Sequence, residues 1–311
     1  MTETAIALCD VVKEFDGFRA VDGVSLEIPA GGVFGLLGPN GAGKSTTIRM
    51  IMDIIRPDSG TIVVMGKSSR ENVRRNVGYL PEERGLYKKM KVLDMLEFLG
   101  TLKGSSPRDS RKESQGWLVR LEIADWAAKK VEELSKGMQQ KIQFAAAVLG
   151  KPKVLILDEP FSGMDPVNQN LFKDTILELN RRGTTIVFST HQMETAERLC
   201  KEIALINKGK LVLSGSLAKV KDGFGKNSLL IEYEGDGGFL GALPGVARVD
   251  GYGSYSEIRL EAGADPQTIF QAVVGRLKVK KFEIIAPTLH NIFIEKVGAQ
   301  ATPALERVGD A

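Results

Sequence analysis

Cysteine, histidine and long apolar runs are all scarce in this 311-residue chain, and each scarcity removes a class of function. The two cysteines, Cys9 and Cys200, sit far apart inside apolar segments, at no CxxC or metal-ligand spacing. Neither a disulfide framework nor a zinc site is indicated, and both read as reduced core thiols of a cytosolic protein. Of the two histidines, His290 in TLHNIFIEKV has no acid or cysteine at metal spacing and reads as structural. No stretch approaches the roughly 18 apolar residues that a membrane helix needs. The opening MTETAIALCD holds acids and no basic leader, so it does not read as a secretory signal. A net charge of +3 over mixed-sign surfaces leaves no basic stripe, and nucleic acid is not implied. What remains, 43% hydrophobic and 26% charged, is the composition of a soluble globular protein long enough for two domains.

The chain is organised around Gly38–Thr46, which reads GPNGAGKST. The pattern G-x-x-x-x-G-K-[ST] is a P-loop: in Gly38, Pro39, Asn40, Gly41, Ala42, Gly43, Lys44, Ser45 and Thr46, glycine exposes backbone N–H groups that cradle phosphates. Lys44 then reaches the β/γ-phosphates and the Ser45 hydroxyl ligates Mg²⁺. The apolar run before it, VFGLL, has the character of a buried parallel strand, and STTIRMIMDI after it has apolar residues at helical spacing. A strand, a glycine loop and a helix N-terminus make an anion site, because orphan amides and the helix dipole point the same way.

Upstream, Ala5–Val12 and Val24–Ile28 read as antiparallel strands joined through turns at Asp16-Gly17 and Asp22-Gly23. Phe15 stands on that connection, where stacking on a base and a plain core contact are both open. Downstream come strands at Thr61–Met65 and Val77–Leu80, the latter ending in Pro81 and Glu82. Residues 91 to about 150 then turn helical, with the polar segment KGSSPRDSR (103–111) reading as a loop between helices. Ser135 in LSKGMQ is placed to cap the helix after it, and Gly137 permits close approach to the backbone.

VLILDE is an apolar strand delivering Asp158 and Glu159 at its end. After a P-loop, that arrangement holds Mg²⁺ through Asp158 and leaves Glu159 facing the γ-phosphate, able to take a proton from an attacking water. A third apolar strand, TIVFS, ends at Thr190 and His191 on the same face.

GPNGAGKST, LSKGMQ, VLILDEP, SGMD and STH stand in one order over about two thirds of the chain. Together they resemble the nucleotide-binding domain of an ATP-binding cassette (ABC) transporter. The resemblance implies an α/β P-loop NTPase core with a mixed sheet and a helical subdomain near residues 91–150, bound to ATP and Mg²⁺. It implies that Phe15 stacks on adenine, that Glu82 lies in the loop sensing γ-phosphate and touching a membrane partner, and that Asp158 binds Mg²⁺ through water. Glu159 would be the general base, Asp165 would couple two sites, and His191 would hold the γ-phosphate and attacking water. Ser135, Gly137 and Gln139 would belong to the signature that closes over ATP held by a second copy, head to tail. A separate integral membrane permease would be the partner, with the chain on the inner face of the cell membrane.

Two motifs depart from the family pattern. The usual LSGGQ has Lys136 and Met138 here at its third and fifth places, and the sensing loop, usually carrying glutamine, has Glu82 in YLPEERGLY. An ionised glutamate ligates Mg²⁺ but donates no hydrogen bond. PEERGLY, DEPFSGMDPVN and FSTHQM resemble a narrower group, bacterial sodium-efflux and drug-efflux ATPase subunits. The alternative is a soluble ABC ATPase of translation or DNA maintenance, and against it stand a single P-loop and no sustained heptads. A GTPase reading lacks the aspartate of N-K-x-D at Asn207–Lys210.

The first domain is expected to cover residues 1–221. Beyond it, 222–298 alternates as strands with helices at Pro266–Leu277 and Thr288–Val297, giving a small α+β module without a nucleotide motif. A ligand sensor, a dimerisation arm and a stabilising cap are all open for it. The small, polar segment 299–311 reads as a disordered tail.

Overall fold

The computed structural model describes residues 3–67, 73, 76–83, 85–224, 228–261 and 263–298. The expected tail at 299–311 lies outside them. The chain divides into two compact units, Met1–Gly215 and Ser216–Ala311. The short helix Leu217–Gly223, expected to close the first domain, therefore falls in the second unit.

Among the described residues the first unit holds two sheets. Strands β1 (Thr4–Phe15), β2 (Phe18–Pro29) and β4 (Ser59–Val64) form an antiparallel sheet in the order β2-β1-β4. The hairpin turn is Asp16-Gly17, both at positive φ. Asp22-Gly23, expected as a second turn, lies inside β2. There the register shifts between Val11↔Val24 and Lys13↔Val21, and Gly23 at φ 65° absorbs the extra residue as a bulge. Cys9 on β1 is exposed, a correction to its reading as a core thiol. Strand alternation carries it to the outer face opposite Thr61. Cys200 is buried, which pushes its thiol up.

The second sheet has six strands in the order β5-β6-β7-β3-β8-β9, with β3 (Val33–Leu37), β5 (Val77–Leu80), β6 (Val154–Asp158), β7 (Thr185–Thr190), β8 (Glu202–Asn207) and β9 (Lys210–Ser216). Registered pairs from β5 through β8 are parallel. All residues of β3, β6 and β7 are buried, as continuous apolar runs in a two-sided parallel sheet require. Parallel alignment brings the C-terminal ends of β3, β6 and β7 together, and those ends precede the P-loop, Glu159 and His191.

Helix α1 (Lys44–Ile51) follows β3. The helical region comprises α2 (Val92–Leu102), α3 (Pro107–Arg120) and α4 (Lys136–Val148). The polar segment expected as a loop is thus largely the first turns of α3. Ser106 accepts from the Asp109 N–H and Pro107 occupies the first helical position, so the same residues that look like a turn form an N-terminal cap. Helix α5 (Pro166–Arg181) joins β6 to β7, and α6 (Met193–Leu199) joins β7 to β8.

The C-terminus of α4 is closed by a side chain from elsewhere. Lys103 Nζ donates to the carbonyls of Ala146 (2.8 Å), Ala147 (2.9 Å) and Leu149 (3.1 Å), orphans of the last turn. Burial pushes the Lys103 ammonium down to about 8, with Glu113 acting in the opposite sense. Because that lies below the 10.5 of an exposed lysine, the unfolded chain binds more protons between those values. Stability contributed by this group therefore rises with pH through that window. Denaturant titrations at several pH values should show wild type gaining on Lys103→Met from about pH 8 upward, with the variant about 1–3 kcal/mol less stable through the lost carbonyl bonds. A constant difference across the window would remove the assignment.

In the second unit, α7 (Leu217–Gly223) precedes the antiparallel sheet β11-β12-β10-β13, built from β10 (Ser228–Glu234), β11 (Val246–Gly251), β12 (Tyr255–Leu260) and β13 (Lys278–Ile285). Helix α8 (Pro266–Val274) is shorter than expected, ending at Gly275. Its Ile269 and Val273 join Leu229, Ile231, Ile258 and Leu260 in one core. Helix α9 (Leu289–Gly298) follows, with His290 exposed. Among the described residues no cluster of His, Cys, Asp and Glu could hold a metal ion by itself, and no helix is long and apolar enough to cross a membrane.

Candidate nucleotide site

The P-loop is shaped by close packing. Gly43 caps α1 at φ 106°, and a Cβ there would lie 2.4 Å from the Ala20 carbonyl of β2. Gly38 is pressed on the Ile206 carbonyl of β8 in the same way, at 2.2 Å. Gly41 has a positive φ but open space around it. The loop is thus wedged between two strands with its middle free.

A cleft of about 550 Å³ opens above it, lined by Asn40 to Thr46 together with Phe15, Phe18, Ala20, Glu82 and Glu159. Phe15 and Phe18 are paired across the β1–β2 hairpin and are 45% and 63% exposed, which favours an apolar face offered to a ligand over a core contact. Phe18 was not anticipated. The signal was present as F-D-G-F, a tight turn that sets two aromatics side by side.

Lys44, at 6% exposure, donates to the carbonyls of Gly38 (2.8 Å) and Pro39 (3.1 Å) and lies 3.6 Å from Glu159 Oε1. Ser45 Oγ donates to Asp158 Oδ1 at 3.2 Å. Asp158 also accepts from the Ser189 hydroxyl, which accepts in turn from the Glu159 N–H at 3.0 Å. Glu159 has φ 47°, and this turn aims its carboxylate back over the loop while Asp158 continues the strand. His191 Nδ1 stands 3.0 Å from Glu159 Oε1. Glu159 is 7% exposed, so a carboxylate beside one cation and one imidazole is held in low dielectric. Tyr79 on β5 is pushed up to about 12 by burial and then by the charge of Asp158.

Glu82 lines the cleft from an exposed position, and among the described residues its carboxylate has no hydrogen-bond or ion-pair partner. Its segment is held from α4: Gln143, 6% exposed, donates through Nε2 to the carbonyls of Pro81 (3.3 Å) and Glu83 (2.9 Å). Sequence reading gave Gln143 no role, because a glutamine on an apolar helix face has no motif.

The remaining expected site residues lie outside this cleft. Ser135 caps α4, accepting from the Met138 N–H, with open space beside Gly137. Gln139 turns its amide inward onto the carbonyls of Val131 and Leu134, so its side chain is spent on the loop before the helix. Asp165 caps α5 through the Asn168 and Val167 N–H groups, and the bonds from Asn168, backbone and side chain, hold its carboxyl below the usual carboxylate range.

A phosphate loop on a parallel sheet, with a serine–aspartate pair and an adjacent buried glutamate, defines a P-loop ATPase. The chain matches the ABC transporter family over residues 21–162 and the C-terminal domain of DrrA1-3-like ATP-binding proteins over residues 215–297. It is 47% identical to the uncharacterized ABC transporter ATP-binding protein YhaQ of Bacillus subtilis, over 93% of this chain and 97% of that protein. It is 35% identical to the daunorubicin/doxorubicin resistance ATP-binding protein DrrA of Streptomyces peucetius, over 72% and 69%. It is 32% identical to the fluoroquinolones export ATP-binding protein Rv2688c of Mycobacterium tuberculosis, over 91% and 89%. A solved ATP-binding subunit of an ABC transporter superposes with a TM-score of 0.67 at 28% identity, over 71% of this chain and 93% of that one. The chain belongs to the ABC transporter ATP-binding proteins, and it is an ATP-hydrolysing subunit of that family.

Proposed function

We propose that this subunit powers an exporter, hydrolysing MgATP between two head-to-tail copies docked on a separate permease at the inner face of the cell membrane. The observation that carries the chemistry is the bracketing of Glu159 by Lys44 and His191 directly beside the Ser45–Asp158 pair. Export is supported by the names of the relatives, which include drug-resistance, fluoroquinolone-export and Nod factor-export proteins.

The residues fit the cofactors. Two oxygens, from Ser45 and Asp158, suit a cation that completes its shell with phosphates and waters, as Mg²⁺ does. Bound Mg²⁺ would neutralise charge on the β- and γ-phosphates. P-loop amides and Lys44 hold the phosphates, Phe15 and Phe18 offer rings to the adenine, and Glu159 takes the proton of the attacking water while His191 orients it. Ser135 and the Gly137 amide, at a helix N-terminus, would close on the γ-phosphate held by the other copy.

Turnover by the purified chain tests this reading. Hydrolysis that stops when EDTA removes divalent cation supports it; cation-independent hydrolysis removes the Ser45–Asp158 assignment. Recovery of the chain from cells with an integral membrane protein supports the transport role, and recovery with ribosomes or DNA favours the other. For Glu82, unpartnered at the rim, the role is through the cation. Glu82→Gln should then keep substantial Mg²⁺-dependent activity in a coupled phosphate-release assay, and a variant as inactive as Glu159→Gln would show that idea to be wrong.

A further inference from the structure

The N-terminal unit has a second cavity, of about 560 Å³, at the N-terminal ends of β6 and β7. The nucleotide cleft stands at the C-terminal ends of the parallel strands and shares no lining residue with it. The volume is that of a site for a small organic molecule. Its walls come from three separate stretches: Trp117 and Arg120 on α3, Lys151 and Lys153 on the turn from α4 into β6, and Arg182 just after α5. Val148, Leu155 and Leu179 supply apolar surface between them.

The charges there do not balance. Four cationic residues line the cavity against one lining carboxylate, Glu113, which accepts from the Gly150 N–H at 3.2 Å. Glu178 beside it is claimed by both nearby guanidiniums: Arg120 donates to it through Nη1 and Nη2, and Arg182 forms an ion pair with it. Among the described residues neither Lys151 nor Lys153 has an ion-pair partner, and the buried Nε of Arg120 has no acceptor. Burial, then the charge of Arg182, push the Arg120 guanidinium below its ordinary range. One carboxylate shared by two guanidiniums, with two lysines beside it that have no ion-pair partner among the described residues, is the arrangement a second oxyanion would complete. The Trp117 ring, already 5.6 Å from the Arg120 guanidinium, gives such an anion an aromatic wall.

We propose that this cavity binds a small organic anion, a carboxylate or sulfonate carried on an aromatic or aliphatic body. The acidic group lies among Arg120, Arg182 and the two lysines, and the body lies on Trp117, Leu155 and Leu179. Because α3 belongs to the helical region and β6 and α5 to the ATPase core, the ligand bridges the two parts of the unit.

Anilinonaphthalene sulfonate, whose fluorescence rises in an apolar site, is the probe. It is titrated into the full chain with MgADP present to keep the nucleotide cleft filled. Two variants separate the contributions. Gly116 lies on α3 at the cavity, and a Cβ there meets nothing within 4 Å, so the side chain of Gly116→Phe starts from open space at the cavity wall. Arg182 is 68% exposed at its side chain, so Arg182→Glu reverses a charge without disturbing the core. One saturable site per chain, weakened about tenfold or more by each variant, supports the proposal. Loss in Gly116→Phe alone would mean an apolar pocket without anion recognition, and loss in Arg182→Glu alone a charged surface without a cavity. Either result, or unsaturable uptake, overturns it.

Discussion

Glu159→Gln should lower ATP turnover by about 10²–10⁴-fold while leaving ATP binding intact. Glutamine has the shape of glutamate and keeps an oxygen for His191, 3.0 Å away, so the geometry at the end of β6 persists. What it loses is the capacity to accept a proton at pH 7. The negative charge beside Lys44 also goes, which leaves the ammonium freer to serve the phosphates. The variant should therefore accumulate the ATP-bound form. Light scattering then reads the consequence directly: a monomer that becomes a dimer only with MgATP supports both the base and the two-copy sandwich. A variant that binds ATP and stays monomeric would require a different second cassette or the permease for pairing. Turnover within about tenfold of wild type would place the base elsewhere.

Gly43→Ala should destabilise the first unit by about 3 kcal/mol or more and weaken ATP binding by more than tenfold. At φ 106° an alanine is strained, and its Cβ would stand 2.4 Å from the backbone oxygen of Ala20, which cannot rotate away as a side chain can. Either β2 shifts or the first turn of α1 does, and the turn carries Lys44 and Ser45. Gly41→Ala is the control. It shares the positive φ, 76°, but has no neighbour within 4 Å, so it should cost only about 1–2 kcal/mol of strain. Thermal melts and nucleotide titrations of the pair check the difference. Equal losses would mean that strain alone, and not the wedge between strands, shapes the loop.

The contrast between these glycines shows what the sequence made legible. Gly38–Thr46, Asp158, Glu159 and His191 could be read because each ends or follows a largely apolar, fully buried strand, and parallel strands deliver their ends to one place. Ser135 could be read as a cap because serine before an apolar periodic stretch has a single local meaning. The misreadings have local causes too. Ser106, Pro107 and Asp109 are turn formers and helix starters alike, and only the packing of α3 decides between them. Asp22-Gly23 carries turn chemistry but is overruled by pairing with β1. Cys9 looked buried until strand alternation and its neighbour Thr61 showed which face it takes. Gln143 and the cavity at Trp117, Arg120 and Arg182 were out of reach, since nothing in a linear pattern says that residues 116–120, 148–155 and 179–184 meet.

The grip of Gln143 on Pro81 and Glu83 has a mechanical consequence. Helix α4 begins at the Ser135 cap and reaches Gln143 about 12 Å along its axis. In a head-to-tail pair its first turn would sit on the neighbour's nucleotide while its middle holds the segment beside the chain's own. The helix is then a lever with one arm at each of two reaction centres. In such a pair a stroke at either centre would reach the other as a tug on this two-bond tether, and the two sites of the motor would keep time with each other.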